Sequence, residues 1–219
     1  MNTKNNSLFS LLGISATVAA IVVTLPQPVT ANEAAVREAF ETYRTAILSQ
    51  DADGAYKAVD GNTKDYYDEM LQQTLDADAA TVRSLPILDQ LIILRSRQQI
   101  PAVELTAMDG ESFFKYAVDR SWIDPSSVQQ FNIDNIAVSG NTATTSLAKN
   151  GQVAPFGFTF NQEADGWKID LTSILPFSER AMQQLVGESG MNQDEFLLFL
   201  VKSVSGADVP DSIWQPVSE

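Results

Sequence analysis

The chain has 219 residues, 28 acidic against 14 basic, a formal net charge of −14, and neither histidine nor cysteine. That excludes an imidazole general base, a Ser-His-Asp triad, a thiol nucleophile, a disulfide and any histidine or thiolate metal site. A hydrophobic content of 44% with eleven Phe and three Trp is enough for a real core, while the acidic balance repels phosphate backbones, so no nucleic-acid partner is expected.

Residues 1 to 31 have a polar start with Lys4, an apolar stretch from Leu8 to Leu25, then Pro26, Pro28 and Val29-Thr30-Ala31. This is the layout of a secretory signal peptide cut after Ala31, and it implies a periplasmic or secreted protein. A membrane association is expected only if the segment stays uncut. Export without cysteine suits a bacterial envelope.

Val36, Phe40, Tyr43 and Ile47 share one helical face, which predicts an amphipathic helix over 33 to 50. Asp51-Ala52-Asp53-Gly54 breaks it into a short helix with Tyr56 and Val59. After Asp60-Gly61, Asn62 or Thr63 is expected to cap a helix with Tyr66, Tyr67, Met70 and Leu71 inward. Pro86 starts an apolar helix, Ile87 to Leu94, with Arg95 and Arg97 in its last turn. A further helix is expected over Gly110 to Arg120, packed through Phe113, Phe114, Ala117 and Val118.

From Val128 the period becomes twofold, with turn signals at Gly140-Asn141, Asn150-Gly151 and Asp165-Gly166. An antiparallel meander of four strands is expected over Val128 to Leu175, its third and fourth strands at Phe156 to Phe160 and Trp167 to Leu171. The apolar parity slips between Phe131/Ile133 and Ile136/Val138, which predicts a bulge near Asn135. Helices follow at 177 to 186 and 192 to 204, the second opened by Asn192 with Glu195 three residues on. The chain then ends in a tail, 207 to 219, polar in composition. The expected class is α+β: N-terminal helices on a curved antiparallel meander, plus two C-terminal helices, in one domain over 32 to 206.

The long first helix, the Ser49-Gln50-Asp51-Ala52-Asp53 break, Thr63 to Tyr67 and the Gly166-Trp167-Lys168-Ile169-Asp170-Leu171 strand resemble the NTF2-like (cystatin-like, cone-shaped) superfamily, among its uncharacterised exported bacterial members. The resemblance covers about residues 33 to 175 and implies a cone-like pocket between helices and sheet. Parallel pairing, or helix anywhere in the Val128 to Leu175 span, would remove the resemblance. In related enzymes a pocket Asp or Tyr moves a proton or stabilises an enolate, which makes Asp170 the catalytic candidate. Its alternation with Trp167 and Ile169 gives it the opposite, outward face in an ordinary half-buried strand.

Tyr43, Tyr56, Phe156, Phe158, Phe160 and Trp167 are the candidate lining of a small apolar ligand's pocket. Phe196, Phe199 and Leu200, in a helix apolar all round, are the candidate partner surface: either a homodimer forms through it, or the helix is sandwiched against 177 to 186 and the body. Ser112-Phe113-Phe114-Lys115, Ser139-Gly140-Asn141 and Lys149-Asn150-Gly151 follow the motif order of penicillin-binding enzymes, but the last two fall on consecutive hairpin turns, which that chemistry does not allow. Asp51/Asp53 and Asp76/Asp78 read as helix caps rather than calcium ligands, and no metal or cofactor is expected. The leading expectation is a non-catalytic exported domain binding a small ligand or an envelope protein. The alternatives are a proton-transfer enzyme of isomerase or cyclase type, and a structural or assembly subunit.

Overall fold

The computed structural model describes residues 30–123 and 125–217; apart from Thr30 and Ala31, the expected signal segment lies outside the described residues. No helix of the described residues is long and apolar enough to cross a membrane. The protein is α+β, with one antiparallel sheet and helices before and after it.

The N-terminal half is helical: α1 (Ala31–Ser49), α2 (Ala52–Ala58), α3 (Gly61–Asp76), α4 (Ala79–Ser84), α5 (Ile87–Gln99), α6 (Ala102–Leu105), α7 (Gly110–Asp119) and α8 (Ser126–Gln129). α1 starts at a capping box in which Thr30 accepts from the Glu33 N–H and Glu33 returns the bond, so a cut after Ala31 would remove that cap. Val36, Phe40, Tyr43 and Ile47 are buried, the face their spacing predicts. Asp51 and Asp78 cap α2 and α4. The cap of α3 is Asp60, not Asn62 or Thr63: its carboxylate accepts from the Thr63 N–H at 2.9 Å. α5 runs past Leu94 to Gln99. The turns α4, α6 and α8 have no counterpart in the sequence periodicity, being too short to show one.

The sheet comprises β1 (Asn132–Ser139), β2 (Thr142–Lys149), β3 (Gln152–Val153), β4 (Thr159–Glu163) and β5 (Gly166–Asp170), in the order β1-β2-β4-β5 with β3 also on β2. The register of β1 on β2 shifts between Ile133 and Asn135, so the expected bulge is present. Gly140 (φ 60°) leads the first hairpin, while Asn150 and Gly151 (φ 53° and 77°) supply the two left-handed residues of the second. The third turn is one residue early: Glu163 pairs with Gly166 across Ala164-Asp165.

The expected third strand needs a larger correction. The chain pairs with the end of β2 as β3, breaks, and pairs again from Thr159. The break sits at Gly157, where a Cβ would lie 1.7 Å from the Thr145 carbonyl oxygen. The meander therefore occupies Asn132 to Asp170 rather than Val128 to Leu175. The wider span is helical at both ends, in α8 and in a 3-10 turn over Leu171–Ile174, because Pro125 opens the first and the Asp170 side chain caps the second. Helix is thus present in the span that the NTF2-like resemblance required to be free of it.

After the turn come α9 (Leu175–Ser189) and α10 (Gln193–Ser205), the latter opened by the expected Asn192/Glu195 capping box. The segment after Gly206 is neither a free tail nor mainly polar: it forms a 3-10 turn over Asp211–Trp214 with Ile213 and Trp214 buried. The Arg97 guanidinium holds this corner by donating to the carbonyls of Gln73, Thr74, Ala77 and Ile213. Burial pushes its pKa down to about 10, so it stays charged at neutral pH.

Two apolar cores result. The first lies between α1, α2 and the inner sheet face, around Phe40, Tyr43, Leu147, Phe160 and Ile169. The second lies among α3, α5, α10 and the C-terminal turn, around Leu94, Leu105, Leu197, Val201 and Trp214. α7 joins them, with Phe114 in the first and Phe113 in the second.

Candidate functional site

A cavity of about 320 Å³ opens at the seam of the two cores. α1 contributes Tyr43, α3 Tyr66 and Tyr67, and α5 Ile92; Phe156 and Phe158 come from the broken third strand; Leu171, Thr172 and Ile174 come from the 3-10 turn. Ile123, Val128 and Phe131 close a second side, and Leu175, Phe177 and Ser178 of α9 lie over the mouth. The rings are set against one another: Phe156 stacks on Phe177 at 4.9 Å and meets Phe131 edge-on at 5.1 Å, and Phe158 lies 6.1 Å from Phe40. No Asp, Glu, Lys or Arg lines the cavity among the described residues.

The polar groups of the wall are hydroxyls. Tyr43 is only 1% exposed, yet its hydroxyl makes no hydrogen bond to the described residues, and neither does that of Tyr67. Neither hydroxyl is sealed off from the space it lines, so the cavity is where a partner would sit. Burial pushes both phenols well above their ordinary pKa, so both stay protonated donors. The Tyr66 hydroxyl donates to Asp89 Oδ1 at 2.7 Å.

The cover over this cavity is held lightly. α9 has no fully buried residue. Its Glu179 carboxylate accepts from the N–H groups of Ile87 and Leu88, at 3.1 and 3.2 Å, supplying the side-chain cap that Pro86 cannot give to α5.

Of the residues chosen from sequence, Tyr43, Phe156 and Phe158 meet in this cavity. Phe160 is fully buried in the first core. Tyr56 lies outside the cavity on Phe114, between the Lys64 and Lys115 ammonium groups. Trp167 backs a surface groove between α1, α2 and the β4-β5 hairpin. Phe196 is buried and so unavailable to a partner; Phe199 is 53% exposed and Leu200 half-buried. α10 packs on α5 and touches α9.

Asp170 is buried rather than outward, because the start of α3 and the 3-10 turn pack over the end of β5. It lies outside the cavity lining, and its carboxylate accepts from the Thr172 N–H and hydroxyl and from Asn62. Beside it, the buried Asp60 accepts from the Thr63 hydroxyl and from Asn161, and Thr63 accepts from the Leu171 N–H. Asp170 thus positions the turn that forms one cavity wall. Asp170→Ala is expected to lose about 1–2 kcal/mol in urea denaturation through the lost cap. Asp170→Asn, which still accepts hydrogen bonds, loses less; equal losses would disprove the capping role.

No protein-family model matches the chain, and no curated protein or solved structure matches it. The cavity is defined by its geometry alone. Sequence reasoning missed Tyr66, Tyr67, Phe131 and Phe177 as lining; the available signal was the inward pairing of Tyr66 and Tyr67 on one helix.

Proposed function

We propose that the protein is a non-catalytic exported domain that binds a small apolar ligand in the cavity between α1, α3 and the sheet. The observation that carries this reading is an aromatic-lined space near the lower end of ordinary ligand-site volumes, roughly 300–1,000 Å³, containing two hydroxyl donors without a hydrogen-bond partner among the described residues. The Leu8 to Leu25 stretch supports export.

The proton-transfer alternative needs a base at the substrate. Asp170 lies outside the cavity and is already bonded to Thr172 and Asn62, and among the described residues the cavity lining holds no carboxylate. The reading of α10 as an assembly surface rests on the exposed Phe199 and Val204.

The test is calorimetric titration of the purified chain with naphthalene-type hydrocarbons and alcohols. Saturable binding at one site is expected. Ser178→Trp, at the half-buried mouth, is expected to abolish it while the thermal midpoint is kept. Absence of binding by every apolar probe, or binding indifferent to Ser178→Trp, would sink the reading.

A further inference from the structure

A second hollow, of about 200 Å³, adjoins the aromatic cavity: Leu175 lines both, and Pro86, Leu88, Asp89, Pro176 and Glu179 complete the second. The two are also linked through Tyr66, which lines the cavity and donates to Asp89. Asp89 stands one helical turn before Ile92, another cavity residue. The second hollow is thus a carboxylate-bearing anteroom beside the aromatic space, across Leu175 and Tyr66.

The carboxylates there lack cations. Asp89, Glu179 and nearby Glu69 form no ion pair among the described residues. Glu179 is engaged by the Ile87 and Leu88 N–H groups and by Gln183. Asp89 receives only the Tyr66 hydroxyl, on Oδ1, and its Oδ2 accepts no hydrogen bond from the described residues. Burial and the negative charges of Glu179 and Glu69 push its pKa up, partly offset by Tyr66, as for a carboxylate short of counter-charge.

A neutral hydrocarbon would leave these features unused, and an anion would meet two carboxylates and no cation. A protonated amine on an apolar body fits both parts. Its ammonium would pair with Asp89, its body would fill the aromatic space, and its α-carbons would lie against ring faces, which attract cations. The net charge of −14 favours the approach of a cation. The unpaired, 1% exposed Tyr43 hydroxyl marks the inner end, where an oxygen or nitrogen of the body would be received.

We infer that the ligand is a lipophilic organic amine, its ammonium held at Asp89 in the anteroom and its apolar body among Tyr43, Tyr67, Phe156 and Phe158. This rests on the small-ligand reading above and gives its chemical class. The test uses one ring system with three charges, naphthylmethylamine, naphthylmethanol and naphthoate, titrated calorimetrically at neutral pH. The amine is expected to bind roughly tenfold tighter than the alcohol, as for one charge-assisted hydrogen bond, and the naphthoate weakest. Asp89→Asn keeps an acceptor for Tyr66, and the amine-to-alcohol ratio is expected to fall close to one. An alcohol bound as tightly as the amine, or a ratio unchanged in Asp89→Asn, overturns the amine inference while leaving the cavity reading intact. Amine binding that survives Ser178→Trp overturns it too, since it would then be attraction to the acidic surface. If none of the three binds, the cavity reading itself falls.

Discussion

Ending the chain after Gly206 is expected to lower stability by about 5 kcal/mol or more, although only thirteen residues are removed. Ile213 and Trp214 are 4% and 5% exposed, packed in the helical core. Truncating buried Trp costs about 3–5 kcal/mol and Ile about 2–5 kcal/mol, against a total near 5–15 kcal/mol for a typical domain. The loss extends further, because Arg97 donates to the Ile213 carbonyl, Val217 to the Leu75 carbonyl, and the Arg83 guanidinium sits 4.3 Å above the Trp214 ring. Trp214→Ala alone is expected to reproduce more than half of the effect in urea denaturation followed by circular dichroism. A truncated chain with the parent's midpoint would show that the segment is not docked.

Gly157→Ala is expected to be the most damaging single methyl addition in the sheet. Its Cβ would stand 1.7 Å from the Thr145 carbonyl oxygen and 2.7 Å from the carbonyl carbon, a contact that only backbone movement relieves. The Thr145 N–H and hydroxyl both donate to the Phe158 carbonyl, so the movement would break the bonds that aim Phe156 and Phe158. A loss of about 3 kcal/mol or more is expected, at the upper end for overpacking, together with loss of apolar-probe binding. Gly187→Ala, on the exposed side of α9 with open space around it, provides the control and is expected to be neutral or slightly stabilising. Equal stability of the two variants would refute the close approach at Gly157.

Local patterns in the sequence carried most of the architecture, and the failures have a common physical origin. The face through Val36, Phe40, Tyr43 and Ile47 is legible because a helix repeats its burial every three to four residues. The hairpins are legible because Asn150-Gly151 and Gly140 adopt backbone angles that few other residues accept. The alternation of Phe156, Phe158 and Phe160 suggested one strand, but its register depends on how closely Gly157 approaches Thr145, a contact local pattern does not encode. Asp170 was given the outward face by strict alternation, which ends where β5 turns into the Leu171–Ile174 turn. The burial of Trp214 depends on α3, α4 and α5, and the apolar residues around it, Val209, Ile213 and Val217, are too few to show a period. The cavity was half legible for the same reason. Its walls run from Tyr43 to Ser178, and only the fold shows that Tyr43 and Phe158 share a space with Tyr67 and Phe177.

Phe113 and Phe114 are consecutive residues of α7, yet one is packed in the helical core and the other in the core beneath the sheet. Neither can leave its place without withdrawing the helix that anchors the other, and Tyr67 makes edge-on contacts with both rings. The two halves consequently share one melting event. A scan by calorimetry would give a single peak whose calorimetric and van't Hoff enthalpies agree, and a molecule seated at the seam would raise the midpoint for helices and sheet alike.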